Sequence, residues 1–176
     1  YTTNPLADDK GLTINDPFTP DSRPVDPRLD WTVGRRSIPY LDWGPHTGQD
    51  WVRDQSYAGP YSPKKQVYKK AQQGQLTEVG NWTSGWTANG YRLIRYADVL
   101  LLLAECQIRT GDLDGARTNV NLIRARAANA DGFVKNDDGT NAATYEVAEY
   151  PTSGAPFDSE ANAMKALMME RKLELG

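Results

Sequence analysis

The 176-residue sequence predicts an all-α protein, a helical-hairpin scaffold that carries long, irregular, aromatic-rich loops. Three observations lead there. Hydrophobic spacing of three and four residues is confined to the second half, from about residue 90 onward. All five tryptophans (Trp31, Trp43, Trp51, Trp82, Trp86) and nine of the eleven prolines precede that point. Within the helical part, the small residues Ala104, Gly111 and Ala116 stand at offsets of 0, 7 and 12. That is where a tetratricopeptide-type hairpin needs small side chains, because its two helices touch there.

The elements follow in chain order. Residues 1–89 show neither a helical nor a strand period, and prolines at 17, 20, 24, 27, 39, 45, 60 and 63 forbid a long helix or a central strand. The aromatic content argues for order nonetheless, since disordered segments are aromatic-poor. This stretch reads as a segment packed over a scaffold.

Residues 90–129 read as a helical hairpin. Its first helix spans Tyr91 to Arg109, with Leu93, Ile94, Ala97, Leu100, Leu101, Ala104 and Ile108 on one face. Gly111 fits a C′ position and Asp112 an N-cap. The second helix then runs to about Ala128, with Leu113, Ala116, Val120, Ile123 and Ala127 inward and Arg117, Arg124 and Arg126 on a charged face. Residues 130–158 read as a polar loop, and Ser159 caps a third helix over 159–176 with Met164, Leu167, Met168 and Leu175 on one face. The methionines there read as core packing. One hairpin cannot bury both of its faces, and the chain starts at Tyr1 and stops inside a helical pattern, so it reads as a fragment lacking partner helices.

Composition narrows the chemistry. At 39% apolar, 24% charged and net charge −3, the chain is globular and has no basic footprint for nucleic acid. Cys106, the one cysteine, lies in an apolar run and reads as a small core residue. The longest apolar run, Val99–Ala104, is far below the ~20 residues of a membrane span. His46, the only histidine, reads as a turn residue, because no nucleophile motif accompanies it.

"DDKGLTIND" and "KNDDGTN" concentrate acids beside glycine but miss the calcium-loop pattern, which would place Val134 and Tyr145 at ligand positions. They read as acidic turns. Asp30 and Asp42 suggest a glycosidase pair, but arginines at 28, 35 and 36 make buried acid–arginine pairing the better account. "NWT" at 81–83 fits a glycosylation acceptor. No metal, cofactor or catalytic group is expected.

The binding candidates are aromatic. "VGNWTSGWTANGY" sets Trp82, Trp86 and Tyr91 in a small-residue loop with few neighbours to bury an indole. "DWVRDQSYAGPY" sets Trp51, Tyr57 and Tyr61 around Arg53 and Asp54. Flat aromatic faces stack on the C–H faces of sugar rings, and the polar neighbours bond hydroxyls. Tyr and Trp also offer large area at low entropy cost.

"DPRLDWTVGRR", "GPYSPKKQVY", "YRLIRYADVLLLLAEC", "TGDLDGARTNVNLIRARA" and "MMERKLELG" resemble, in that order, the C-terminal half of the SusD/RagB family. The resemblance implies a SusD-like domain comprising all four segments, in a surface-exposed lipoprotein of the Bacteroidetes outer membrane, lipid-anchored outside this chain. It further implies a glycan ligand, a SusC-like TonB-dependent transporter as partner, and no enzymatic activity. On that basis "DPRLDW" and "IPYLDW" are framework, with Trp31 and Trp43 plugging loops onto the scaffold and Arg28 and Asp30 as structural partners. The alternative is that this half mainly contacts the transporter, with glycan or peptide bound elsewhere.

Overall fold

The computed structural model describes residues 5–82 and 85–176, and the chain divides into two compact units. One unit is helical and contains residues 26–28, 92–133 and 145–176. The other contains residues up to 25, 29–91 and 134–144. The helical reading is correct for the long elements.

The helical unit is built on α3 (Tyr96–Arg109), α4 (Leu113–Ala128) and α5 (Glu160–Leu175), the numbering leaving α1 and α2 for two short helices earlier in the chain. Its core comprises Leu100, Leu101, Ala104 and Ile108 from α3, Ala116, Val120 and Ile123 from α4, and Ala163, Ala166 and Leu167 from α5. The stops and starts follow local chemistry. Gly111 adopts φ +86°, a conformation that costs a residue without Cβ little, and ends α3. Asp112 accepts the Gly115 N–H at 2.9 Å to open α4, and Ser159 accepts that of Asn162 at 3.3 Å to open α5. Ala104 and Ala116 are fully buried, whereas Gly111 belongs to the turn.

Four expectations need correction here. Helix α3 begins at Tyr96, not Tyr91, because Asp98 takes the Arg95 N–H at 2.8 Å and fixes the first turn there. Leu93 and Ile94 therefore lie outside the helix and are exposed. Cys106 is exposed, since two residues beyond buried Ala104 the helix has turned about 200°. Met168 is 49% exposed beside the fully buried Leu167. The loop expected to be polar also supplies core, because Phe157 is buried with Tyr150 edge-on to it at 5.5 Å.

A charged cluster lies beside this core. Glu170 and Glu174, one turn apart on α5, are both buried. Glu170 meets Arg28 at 2.5 Å and Arg124 at 2.9 Å, and Glu174 meets Arg95 at 3.0 Å and Arg126 at 2.6 Å. Arg28 also holds Asp26 at 2.6 Å. Its acids thus come from the helical unit and its own segment, while Asp30 is chelated by Arg35 through both carboxylate oxygens.

The second unit has only short elements: α1 (Leu29–Thr32), α2 (Gln55–Ala58), and β1 (Val33–Gly34) paired antiparallel with β2 (Ser62–Pro63). With prolines preventing longer ladders, side chains satisfy the backbone instead. Buried Lys64 donates to the carbonyls of Asp30 (2.7 Å) and Pro39 (2.8 Å). Arg36 donates to those of Thr13, Ile14 and Asp16, and Asp42 accepts the N–H groups of Lys70 and Ala71. Trp43 plugs a loop, its indole N–H bonding Tyr68 O at 3.0 Å and its ring meeting Tyr68 edge-on. Trp31 is less of a plug than expected. It stays 46% exposed, with the Lys64 ammonium 5.3 Å from its ring centre.

Removing one buried carboxylate while its arginines remain leaves uncompensated charge. Glu170→Ala is expected to lower unfolding free energy by about 3–5 kcal/mol. Glu160→Ala, whose 3.7 Å pair with Arg109 is mostly exposed, should cost less than about 1 kcal/mol. Urea denaturation of both variants checks the contrast.

Candidate functional site

Two separate segments carry the candidate residues. Between Leu76 and Ala88 the chain forms a small hairpin. Thr77 bridges Thr87, Glu78 N–H donates to Trp86 O at 2.8 Å, and Ala88 N–H to Leu76 O at 2.8 Å. The side-chain amides of Gln72 and Asn89 bond each other at 3.0 and 3.3 Å at its base. Thr77 is buried, but the aromatic side chains turn outward: Trp82 is 97% exposed, Trp86 68% and Tyr91 74%. Leu76 and Val79 are exposed there too. Asn81 of the "NWT" triplet is exposed, and its Thr83 lies outside the described residues.

The second segment runs from Gly48 to Tyr61. Gly48 at φ +82° turns its N–H onto His46 Nδ1 at 3.0 Å and starts a 3₁₀ turn, Gln49–Trp51. Trp51 packs its edge on His46 (5.2 Å) and Tyr40 (5.6 Å) and keeps 40% of its surface exposed. Asp54 caps α2 by accepting Ser56 N–H and Oγ–H, and the Ser56 hydroxyl bond holds its carboxyl below the usual carboxylate range. Tyr57 on α2 is almost wholly exposed, while Tyr61 is half-buried and its hydroxyl is pushed up by burial. An open hollow of about 340 Å³ lies here, lined among others by Lys10, Gly11, Gln49, Arg53, Asp54 and Ser56. The structure thus joins Arg53 to Asp54 in one concavity. Trp82, Trp86 and Tyr91 belong to the other segment, and no local sequence pattern points to Lys10 as part of the hollow.

His46, read from the sequence as a turn residue, is buried. Its Nδ1 accepts from Gly48, so the neutral ring carries its proton on Nε2, 2.8 Å from Ser62 Oγ. That nitrogen donates to the serine and has no lone pair to take its proton, the opposite of nucleophile activation. Nearby Lys64 has its pKa lowered by burial to about 8, with the Asp30 charge opposing the fall. Asp30 is fully buried against Arg35, and Asp42 is tied to backbone. The acidic glycine loops bond to themselves: Asp8 accepts the Lys10 N–H, and Asp138 accepts the Thr140 N–H and hydroxyl. Among the described residues, no group of three His, Cys, Asp or Glu could hold a metal ion.

A model of the SusD family matches residues 5–176. The chain belongs to the SusD family. SusD proteins are generally glycan-binding proteins of nutrient uptake, associated with the outer membrane and with SusC-like transporters. No curated protein matches the sequence. No described helix of this SusD protein is long and apolar enough to cross a membrane.

Burial lowers the His46 pKa below its ordinary 6.5, with Asp9 opposing and Lys64 reinforcing the shift. The unfolded chain takes up a proton near pH 6.5 that the folded chain refuses. The stabilisation is therefore complete above that pH and is lost as the pH falls. From pH 7 to 5.5, unfolding free energy should fall at up to about 1.4 kcal/mol per pH unit. His46 is the only histidine, so His46→Gln should flatten the slope measured by urea denaturation.

Proposed function

We propose that this protein binds oligosaccharide at the cell surface by aromatic stacking and passes it to a SusC-like TonB-dependent transporter, without covalent chemistry. The observation that carries this reading is the outward placement of Trp82 and Trp86 beside the isolated Thr77–Thr87 bridge. An indole left in water gives up burial worth about 1.5–3 kcal/mol, so the fold does not need these two for its core. Sugar rings present flat C–H faces that such indoles match. Trp51, Tyr57 and Tyr61 with Arg53 and Asp54 form a second contact region, in which aromatic area adjoins groups able to bond hydroxyls. The wider architecture belongs to the same reading: a tetratricopeptide-like hairpin of α3 and α4, decorated by aromatic loops in one SusD-like domain. A lipid anchor outside this chain would hold the domain at the outer membrane.

A second reading has its own observation. Leu76 and Val79 are exposed beside the tryptophans, and the outward side of α3 shows Val99, Leu102 and Leu103. Aliphatic patches favour protein contact over sugar, so these surfaces support an interaction role in which this half contacts the transporter.

Glycan affinity of the full-length protein separates the two. Trp82→Ala combined with Trp86→Ala should weaken oligosaccharide binding roughly tenfold or more without lowering the melting temperature. Retained affinity with lost transporter association would favour the interaction role. Release of shorter sugars from an oligosaccharide would overturn both in favour of an enzyme.

A further inference from the structure

We propose that the hollow lined by Lys10, Arg53 and Asp54 selects an acidic sugar, a hexuronate whose carboxylate is taken by Lys10 and Arg53; this rests on the glycan-binding reading above. Most of the arginines are already committed to carboxylates. Arg23, Arg28, Arg35, Arg95, Arg117 and Arg124 each hold a carboxylate within 3.0 Å. Arg53 and the Lys10 ammonium make no ion pair or hydrogen bond among the described residues, although both residues line one concavity with four aspartates (Asp8, Asp9, Asp50 and Asp54) nearby in sequence.

Asp50 is exposed and does not line the hollow, and the other three have tasks of their own. Asp8 turns back to bond the Lys10 N–H at 3.0 Å. Asp9 is buried, is bonded by Gln55 Nε2 at 3.4 Å, and does not line the hollow. Asp54 does line it, but its bonds from Ser56 and Tyr57 all fall on Oδ1. Its Oδ2 is left to accept a ligand hydroxyl.

The hollow therefore offers two cationic donors and one carboxylate acceptor, on a chain whose net charge is −3. A neutral sugar meets the two cations only with hydroxyls and leaves both without a counter-charge. A hexuronate uses all three: its carboxylate pairs with the guanidinium fork and the ammonium, and a ring hydroxyl donates to Asp54. About 340 Å³ accommodates a single sugar residue, with the half-exposed Trp51 and the exposed Tyr57 adjoining in the chain.

The test titrates the full-length protein with oligomers of galacturonate, glucuronate and mannuronate, each paired with its carboxyl-reduced neutral form. The wild type should bind at least one acidic oligomer about fivefold or more tighter than its neutral partner, with the preference shrinking as salt rises. In Lys10→Gln/Arg53→Gln the ratio should fall to about one, through a larger loss of affinity for the acidic form than for the neutral one. Both residues are exposed, so the melting temperature serves as the folding control. A wild-type ratio of one for every pair, or a preference that survives the double substitution, overturns the acidic-sugar proposal alone. Failure of every oligomer, acidic and neutral, to bind the wild type overturns the glycan reading with it.

Discussion

Two buried glutamates on one face of α5 set the constraint on which the helical unit depends. Glu170 and Glu174 cannot be left without cations, and they draw on arginines from three places: Arg95 before α3, Arg124 and Arg126 on α4, and Arg28 from far earlier in the chain. Hydrophobic burial alone would let α3, α4 and α5 slide on one another, because alanine and leucine contacts tolerate small shifts. The charge cluster does not, since each arginine must meet its carboxylate in a set geometry. It also holds Asp26–Arg28 in the helical unit.

The other unit solves the complementary problem. Its prolines remove donors and forbid ladders, so the backbone is satisfied by buried polar side chains, chiefly Lys64, Arg36 and Asp42. Tyr40 joins them by donating its hydroxyl to Pro63 O. A loop fold held in this way needs few apolar plugs: among the described residues, Val25, Ile38, Tyr40, Val52 and Val134 are its buried hydrophobic residues. Aromatic side chains in excess of that need stand outward. The binding role proposed for Trp82 and Trp86 is a consequence of that surplus.

Much of the helical unit could be read from sequence, because caps and apolar spacing are local signals. Asp112, Gly111 and Ser159 ended and began helices where expected, and the inward residues of α4 are those its spacing indicated. The start of α3 was misread because Leu93 and Ile94 continue the apolar spacing, and only the Asp98 bond to Arg95 stops the helix there. The exposure of Cys106 was derivable from the helical angle to Ala104, but the apolar run around it hid that angle. In the loop unit the contacts span tens of residues, as from Lys64 to Asp30, and no local pattern encodes them. His46 looked like a turn residue for the same reason: its burial comes from Tyr40, Trp51 and Ser62. For the hollow, Arg53 and Asp54 were legible as a polar pair among aromatics, whereas Lys10 reaches it from some forty positions away.

On the proposed reading the indoles of Trp82 and Trp86 are held in water for a ligand, while Trp43 belongs to the framework. Fluorine NMR of the full-length protein labelled with 5-fluorotryptophan, before and after addition of a bound oligosaccharide, tests this most directly. The account predicts that the Trp82 and Trp86 resonances show the largest solvent-isotope shifts in the free protein and move on addition, with Trp43 unchanged. Solvent-shielded Trp82 and Trp86 resonances, or resonances that stay fixed while the oligosaccharide binds, would contradict it.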